Sequence, residues 1–495
     1  MSEQSPRLSL DALDGLPSAA RPGYDPRDVA VGIVHLGIGA FSRAHQAVFT
    51  DEVMAADGGD WGICGVSQRS RTVPDQLAPQ DGLYTVLERD ADRPPRAHVV
   101  GAVREVRCAA DEPDVVVDRI SAVTTRIVTL TVTEKGYRYD PGTGRLRDDP
   151  VIDQDLAGGD PTSVVGQLVR GLQRRLREDA GPIALVSCDN LSGNGTLLHG
   201  LVQEFASRLP DDEADPLLDF IEHQTTFPKT MVDRIVPATT DEDRDEVTRL
   251  LGHRDDATVV AEPFSQWVVE DAFLVPRPAW ERVGVTITDD VDSYERVKLR
   301  LLNAAHSLIA YLGALAGYDT IAQAVGDESI VAATRRLLDD DQMPTLVAPD
   351  GLDLAAYCDE VLHRFANPAL GHRTTQVAMD GSQKLPQRLV GGLRERRAAG
   401  GDAVHAALLV AAWMRVLAGS NDQGEPLSVE DPMGDTIAKM VTVDDAHVAA
   451  RRVLAMEDVF GAGMADDEPF VTRVADWYDA LRSHGVLDTL RTEAR

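Results

Sequence analysis

The chain is poor in positive charge. Its 49 lysines and arginines face 81 aspartates and glutamates, for a formal net charge of −32. Such a surface repels nucleic acid and anionic membrane; its plain reading is a solvating acidic surface, and no partner follows from it. An anionic ligand would need a local basic pocket. Cysteine is scarce too. Cys64, Cys108, Cys188 and Cys358 are scattered without paired spacing, which argues against a disulfide frame and against a Cys-type zinc site. No apolar run reaches the roughly 18 to 20 residues that span a bilayer. The N-terminus has no basic start followed by an apolar stretch, so no secretory signal is expected. A reduced, cytoplasmic protein follows from these absences. Lysine is the rarest basic residue: only Lys135, Lys229, Lys298, Lys384 and Lys439 occur. A position that keeps lysine under that bias is a candidate for something arginine cannot do, which is to give up its proton.

With 43% hydrophobic and 26% charged residues, the chain reads as a globular protein long enough for two or three domains. Residues 1–30 form an arm rich in Pro and Gly. From Val31 to about Cys188, short β-branched runs ("GIVHLGIG", "WGICGVS", "IVTLTVT", "PIALVSCDN") alternate with amphipathic stretches such as "PTSVVGQLVRGLQRRLRED". That alternation predicts a parallel sheet with crossover helices. From Ser293 onward helical spacing dominates. The expected fold is α/β, a Rossmann-type dinucleotide-binding domain over 1–290 followed by an all-helical domain over 291–495.

"IVHLGIGAFSRAHQAVF" reads as strand, Gly-x-Gly turn and helix. Gly37 can make the tight turn, and Gly39 can let a pyrophosphate approach the backbone at a helix N-terminus. Ser42 stands where a third glycine would be, and an ordinary strand–helix turn has the same pattern. Its place on the first strand of the alternation favours the cofactor. After the second strand, Ser67, Gln68, Arg69 and Arg71 supply no acid for a ribose hydroxyl, which leaves NADP open beside NAD.

The stretch "VKLRLLNAAHSLIAYLG" holds Lys298. At roughly 100° per residue from Lys298, Glu295 falls near 60°, His306 near 80° and Asn303 near 140°, with leucines and alanines opposite. A plain amphipathic helix with a wet face gives the same wheel, although Asn and His are odd choices for a surface built of Arg, Asp and Glu. The chemical alternative is a desolvated lysine shifted toward neutral pKa as general base, with an amide to hold a developing oxyanion and a histidine to position a hydroxyl.

"LGIGAFSRAH", "TVTEKGY", "SCDNLSGNG", "FPKTMVDRIVPAT", "EPFSQWVVED", "KLRLLNAAH" and "AMDGSQKLPQR" occur in that order. Together they resemble the long-chain, zinc-independent polyol dehydrogenase family, which includes mannitol 2-dehydrogenase and fructuronate reductase (D-mannonate oxidoreductase). The resemblance runs from about residue 30 to beyond 430. It implies a Rossmann-type domain and a helical domain with the active site between them, and Lys298 as general base. Asn303 and Asn194 would form the oxyanion hole, His306 would bind substrate, and Glu295 would sit by the proton path. Asp233 and Lys384 would contact the far hydroxyls or a carboxylate. The cofactor would lie on Gly37, Gly39, Phe41 and Arg43, with NAD expected and NADP the alternative. No metal is implied. Gln376 stands where mannitol 2-dehydrogenases tend to carry arginine, and "DGSQKLPQR" is more like fructuronate reductase. The expected reaction therefore interconverts D-fructuronate and D-mannonate. D-mannitol/D-fructose or an arabinitol is the alternative, and the expected state is a monomer.

Overall fold

The computed structural model describes residues 5–493. The chain divides into two compact units, Met1–Val291 and Asp292–Arg495.

The first unit is built on a six-stranded sheet: β1 (Val31–Leu36), β2 (Gly62–Ser67), β3 (Val103–Cys108), β4 (Ile127–Leu130), β5 (Ile183–Ser187) and β6 (Thr225–Thr226). The spatial order is β6-β5-β4-β1-β2-β3 and every pairing is parallel. This is the doubly wound dinucleotide-binding order, in which the chain starts at the centre and builds outward in both directions. Side chains alternate between the faces of a strand, and the two faces carry separate cores. Val34, Leu36, Val66, Val128, Leu130 and Leu185 pack with Val165, Leu168, Leu172, Leu198 and Leu201. Ile33, Ile63, Ile127, Ala184 and Val186 pack with Val48, Phe49, Val53, Trp267 and Trp280. Burial on both faces is why the central strands, such as β4 and β5, read as short apolar runs.

The helix Val164–Glu178 starts where the Ser163 hydroxyl accepts the Gly166 N–H at 2.9 Å, and it ends at Asp179 in the left-handed region, φ 49°. Two three-stranded sheets flank the main one. One holds Thr230–Asp233, Gln266–Glu270 and Thr286–Thr288; the other holds Tyr84–Glu88, Arg96–Val100 and Val259–Ala261. The arm is not loose. Leu8, Leu13 and Leu16 pack with Leu83, Leu87 and Val260, and the Tyr24 hydroxyl donates to Asp51 Oδ1 at 2.7 Å.

The second unit is helical, and no strand occurs in it among the described residues. Its core is one continuous helix, Val291–Ala316, long and apolar enough by composition to cross a membrane, yet with 83% of its most apolar window buried inside the protein. Three stretches of this unit have the wider π-helical turn: Lys298–Asn303, Leu337–Gln342 and Pro386–Val390. The first packs on each of the other two. Arg300, on the first, donates to Thr345 O at 2.9 Å and to both carboxylate oxygens of Glu395 at 2.6 and 2.7 Å.

Candidate active site

In the first unit, β1 runs straight into the glycine turn. Gly37 has φ +97°, and a Cβ there would lie 2.2 Å from Thr131 O, so only glycine fits. His35 holds the turn from below. Its Nδ1 contacts Thr129 Oγ1 at 2.7 Å and its Nε2 contacts Thr131 Oγ1 at 2.9 Å, and the Thr131 hydroxyl donates to Gly37 O at 2.9 Å. Burial lowers the His35 pKa to about 4, so the ring is neutral.

Gly39 differs. Its φ is −99°, and a Cβ there would meet nothing nearer than Gly37 O at 3.8 Å. Nothing inside the protein requires glycine at this position. Open ground before the first turn of Ala40–Ala44, whose leading amides have no intrahelical acceptor, fits a pyrophosphate laid against the backbone.

Two further side chains expected at the cofactor follow the turn. Phe41 is half-buried and stacks on His45 at 5.0 Å. Arg43 is buried: its guanidinium lies over the Tyr84 ring at 5.5 Å and donates to Gly39 O at 3.1 Å and to Ala257 O. Arg43 therefore braces the glycine turn from within rather than offering its charge to a ligand. Past β2, Ser67 Oγ donates to Ser70 O at 2.6 Å, Gln68 donates to Gln167 at 3.2 Å, and Arg71 pairs with Asp111 at 2.6 Å and Asp75 at 3.4 Å.

Asn194 opens the helix Asn194–Ser207 after Gly193 in the left-handed region, φ 59°. Its side chain is engaged on every side. Nδ2 donates to Asp189 O at 3.1 Å and Thr230 O at 2.9 Å, and Oδ1 accepts from Thr230 N at 3.0 Å. A substrate oxygen would have to displace one of these bonds. Asn194 thus ties the "SCDNLSGNG" segment to the strand Thr230–Asp233, at whose end Asp233 is buried. Asp189 carries no role in the sequence reading. It accepts Val132 N at 3.2 Å, Thr133 N at 2.7 Å and Tyr137 OH at 2.6 Å, joining that segment to "TVTEKGY". Its aspartate among tyrosine and threonines was the available signal.

In the second unit, Lys298 and Asn303 are each only 6% exposed. They bound one π-turn, Lys298–Asn303. An i→i+5 turn brings residues five apart toward one face, whereas a regular wheel separates them by about 140°. The side-chain amide of Asn303 has no hydrogen-bond partner among the described residues, in contrast to Asn194. His306 follows, stacked on Phe365 at 4.5 Å with His372 at 5.3 Å. Its Nε2 is buried with no partner. Burial first, then the charges of His372, Arg388, Lys384 and Arg364, push its pKa well below the usual histidine value. Glu295 is half-buried one turn before Lys298.

Lys384 lies on Gly381–Leu385 and donates to Met379 O at 2.5 Å and Val377 O at 3.4 Å. Burial and Arg388 lower its pKa to about 8, against the opposing pull of Asp380 and Asp431. Gln376 is exposed on Thr374–Ala378. Among the described residues, no three His, Cys, Asp or Glu side chains group as metal ligands would.

The helical unit carries a buried lysine, an amide without a partner among the described residues and an orphaned imidazole on one helix; the first unit carries a glycine turn braced by a neutral histidine on the first strand of a parallel sheet. Residues 31–282 match the model of the mannitol dehydrogenase Rossmann domain, and residues 290–482 match the mannitol dehydrogenase C-terminal domain. The chain belongs to the mannitol dehydrogenase family. It is 42% identical over 95% of its length to the Escherichia coli (strain K12) uncharacterized oxidoreductase YeiQ, covering 97% of that protein. It is 40% identical to the D-mannonate oxidoreductase of the same organism, covering 94% of this chain and 96% of that one. It superposes on the Pseudomonas fluorescens mannitol 2-dehydrogenase ternary complex with NAD and D-mannitol at a TM-score of 0.87 and 36% identity, covering 99% of each chain. As a member of the mannitol dehydrogenase family, the chain is an oxidoreductase of the mannitol/mannonate dehydrogenase type.

Proposed function

We propose that the chain is an NAD-dependent, zinc-independent oxidoreductase that interconverts a 2-keto sugar acid and its secondary alcohol, D-fructuronate and D-mannonate being the pair it serves. The observation that carries the chemistry is the π-turn that sets buried Lys298 and the unengaged amide of Asn303 toward one face, with the orphaned His306 Nε2 following. The open backbone at Gly39 and the kinship with a mannitol 2-dehydrogenase that binds NAD support the cofactor. The 40% identity to a D-mannonate oxidoreductase and Gln376 favour the acid. The 36% identity to a mannitol 2-dehydrogenase favours a second reading, oxidation of a neutral polyol.

In this reading the first-turn amides beyond Gly39 hold the pyrophosphate. The nicotinamide, when bound, supplies the hydride to the ketone carbon. Asn303 donates to the ketone oxygen and stabilises the negative charge that gathers on it. Lys298, entering as the ammonium, gives its Nζ proton to that oxygen and is left neutral; in the oxidative direction the neutral amine takes the proton back. His306 Nε2 bonds the neighbouring hydroxyl. Asn194 keeps the strand carrying Asp233 in place. A reduced cytoplasmic setting and a monomeric state complete the proposal.

The test is consumption of reduced cofactor by the purified protein, with D-fructuronate and D-fructose each offered with NADH and NADPH. The reading predicts that D-fructuronate with NADH is turned over fastest. Preference for D-fructose would replace it with the polyol reading.

A further inference from the structure

Arg388 lies in the π-turn Pro386–Val390 of the helical unit. Its Nη1 donates to Ser307 Oγ at 3.0 Å and to Asn303 O at 3.4 Å, which sets the guanidinium against the helix that carries Asn303 and His306. Among the described residues no carboxylate pairs with Arg388, and neither Nε nor Nη2 has an acceptor. In a chain with 81 acidic residues this is unusual. Among the buried arginines, Arg234 is answered by Glu88 at 2.7 Å, Arg300 by Glu395 at 2.6 Å, and Arg175 by a ring of carbonyl oxygens. Arg388 is half-buried, so the free edge of its guanidinium stays open to a ligand.

Two further basic groups, like Arg388, act on His306. Lys384 and His372 are both cationic or neutral donors near His306, and burial and Arg388 act together to lower the Lys384 pKa to about 8. Lys384 is the weaker candidate for an anion, because Asp380 and Asp431 face it and two carbonyls already take its protons. His372 stands 5.3 Å from the His306 ring, and burial lowers its pKa. It is a neutral N–H donor beside His306.

We infer that Arg388, seconded by His372, forms a carboxylate-binding subsite on the helical unit, and that this subsite selects a sugar acid over a neutral sugar. The inference rests on the reading that the chain reduces a 2-keto sugar acid. It gives the discriminating role to a residue outside the proton-transfer set. The guanidinium has the planar fork that matches a carboxylate with two parallel N–H···O bonds, and Ser307 holds it in place before substrate arrives. The absence of a protein carboxylate is then explained, since the substrate brings one.

The experiment compares D-fructuronate with its neutral isostere D-fructuronamide as substrates for the wild-type protein and for Arg388→Gln, Arg388→Lys and His372→Asn. The wild type is expected to prefer the acid, chiefly through KM. Loss of a charge-assisted hydrogen-bonded pair is expected to reduce the acid-over-amide ratio of kcat/KM about 10- to 100-fold in Arg388→Gln. Arg388→Lys, which keeps charge without the fork, should fall between, and His372→Asn should lower the ratio less. A wild type that turns over D-fructuronate but treats acid and amide alike would overturn the subsite and leave the function standing. So would Arg388 variants that slow both substrates by the same factor. A wild type that reduces neither, but reduces D-fructose, would overturn both together.

Discussion

Two glycines two residues apart should fail in opposite ways when given a methyl group. At Gly37 the backbone sits at φ +97° and the new Cβ would lie 2.2 Å from Thr131 O, a backbone atom that cannot move without shifting β4 and its exit. Gly37→Ala is therefore expected to cost about 1–3 kcal/mol from the backbone conformation alone, with the clash added. At Gly39 φ is −99° and the nearest atom to the new Cβ is 3.8 Å away. Gly39→Ala should leave the free protein as stable as the wild type, or slightly more so through the unfolded chain. What it should lose is the cofactor, because the methyl group fills the ground on which the pyrophosphate is proposed to lie. Thermal unfolding without ligand and NADH titration by fluorescence separate the two. The expected pattern is an unchanged Tm with at least tenfold weaker NADH binding for Gly39→Ala, and a lowered Tm for Gly37→Ala. A Gly39→Ala protein that binds NADH as the wild type does would refute the reasoning, because the open space at Gly39 would then have no ligand to explain it.

Asn303→Ala should reduce turnover about 10²- to 10³-fold with little change in NADH binding, as loss of an oxyanion donor does; steady-state kinetics would show a KM effect alone if Asn303 only binds ground-state substrate. Asp51 is buried, and burial raises its pKa from 3.8 to about 7 despite bonds from the Tyr24 hydroxyl and Gly101 N. The folded state therefore holds this proton more tightly than the unfolded one, so the stability it contributes declines as pH rises from about 4 through about 7. Asp51→Asn, whose Oδ1 can accept the same two bonds, should flatten that slope in denaturant unfolding measured across pH 4–8, and an unchanged slope would contradict the assignment. Dialysis against a chelator should leave activity intact, and loss of activity restored by zinc would contradict the lysine-based mechanism.

Much of the fold was legible because its physics is local. Strands buried on both faces, such as Ile127–Leu130, read as β-branched and leucine runs, and the helix between β4 and β5 carries its own cap at Ser163. The lysine helix was legible for its apolar back, but not for its π-turn. A wheel of about 100° per residue presumes the regular turn, and nothing in "KLRLLN" announces the wider one. That turn packs against two other π-stretches far away in sequence. Arg43 was placed at the cofactor by resemblance alone; its packing against Tyr84 and Ala257 is something no local pattern reveals. The lone charge of Arg388 was invisible for the same reason, since a missing partner is a property of the folded neighbourhood alone.

The central claim is that Lys298 delivers the proton. Its most direct test is single-turnover reduction by Lys298→Ala, with and without added methylamine. The account predicts a fall of about 10²- to 10⁴-fold, unchanged NADH affinity, and partial recovery as methylamine takes the place of the missing Nζ. Turnover within a few-fold of the wild type, with no response to the amine, would contradict it.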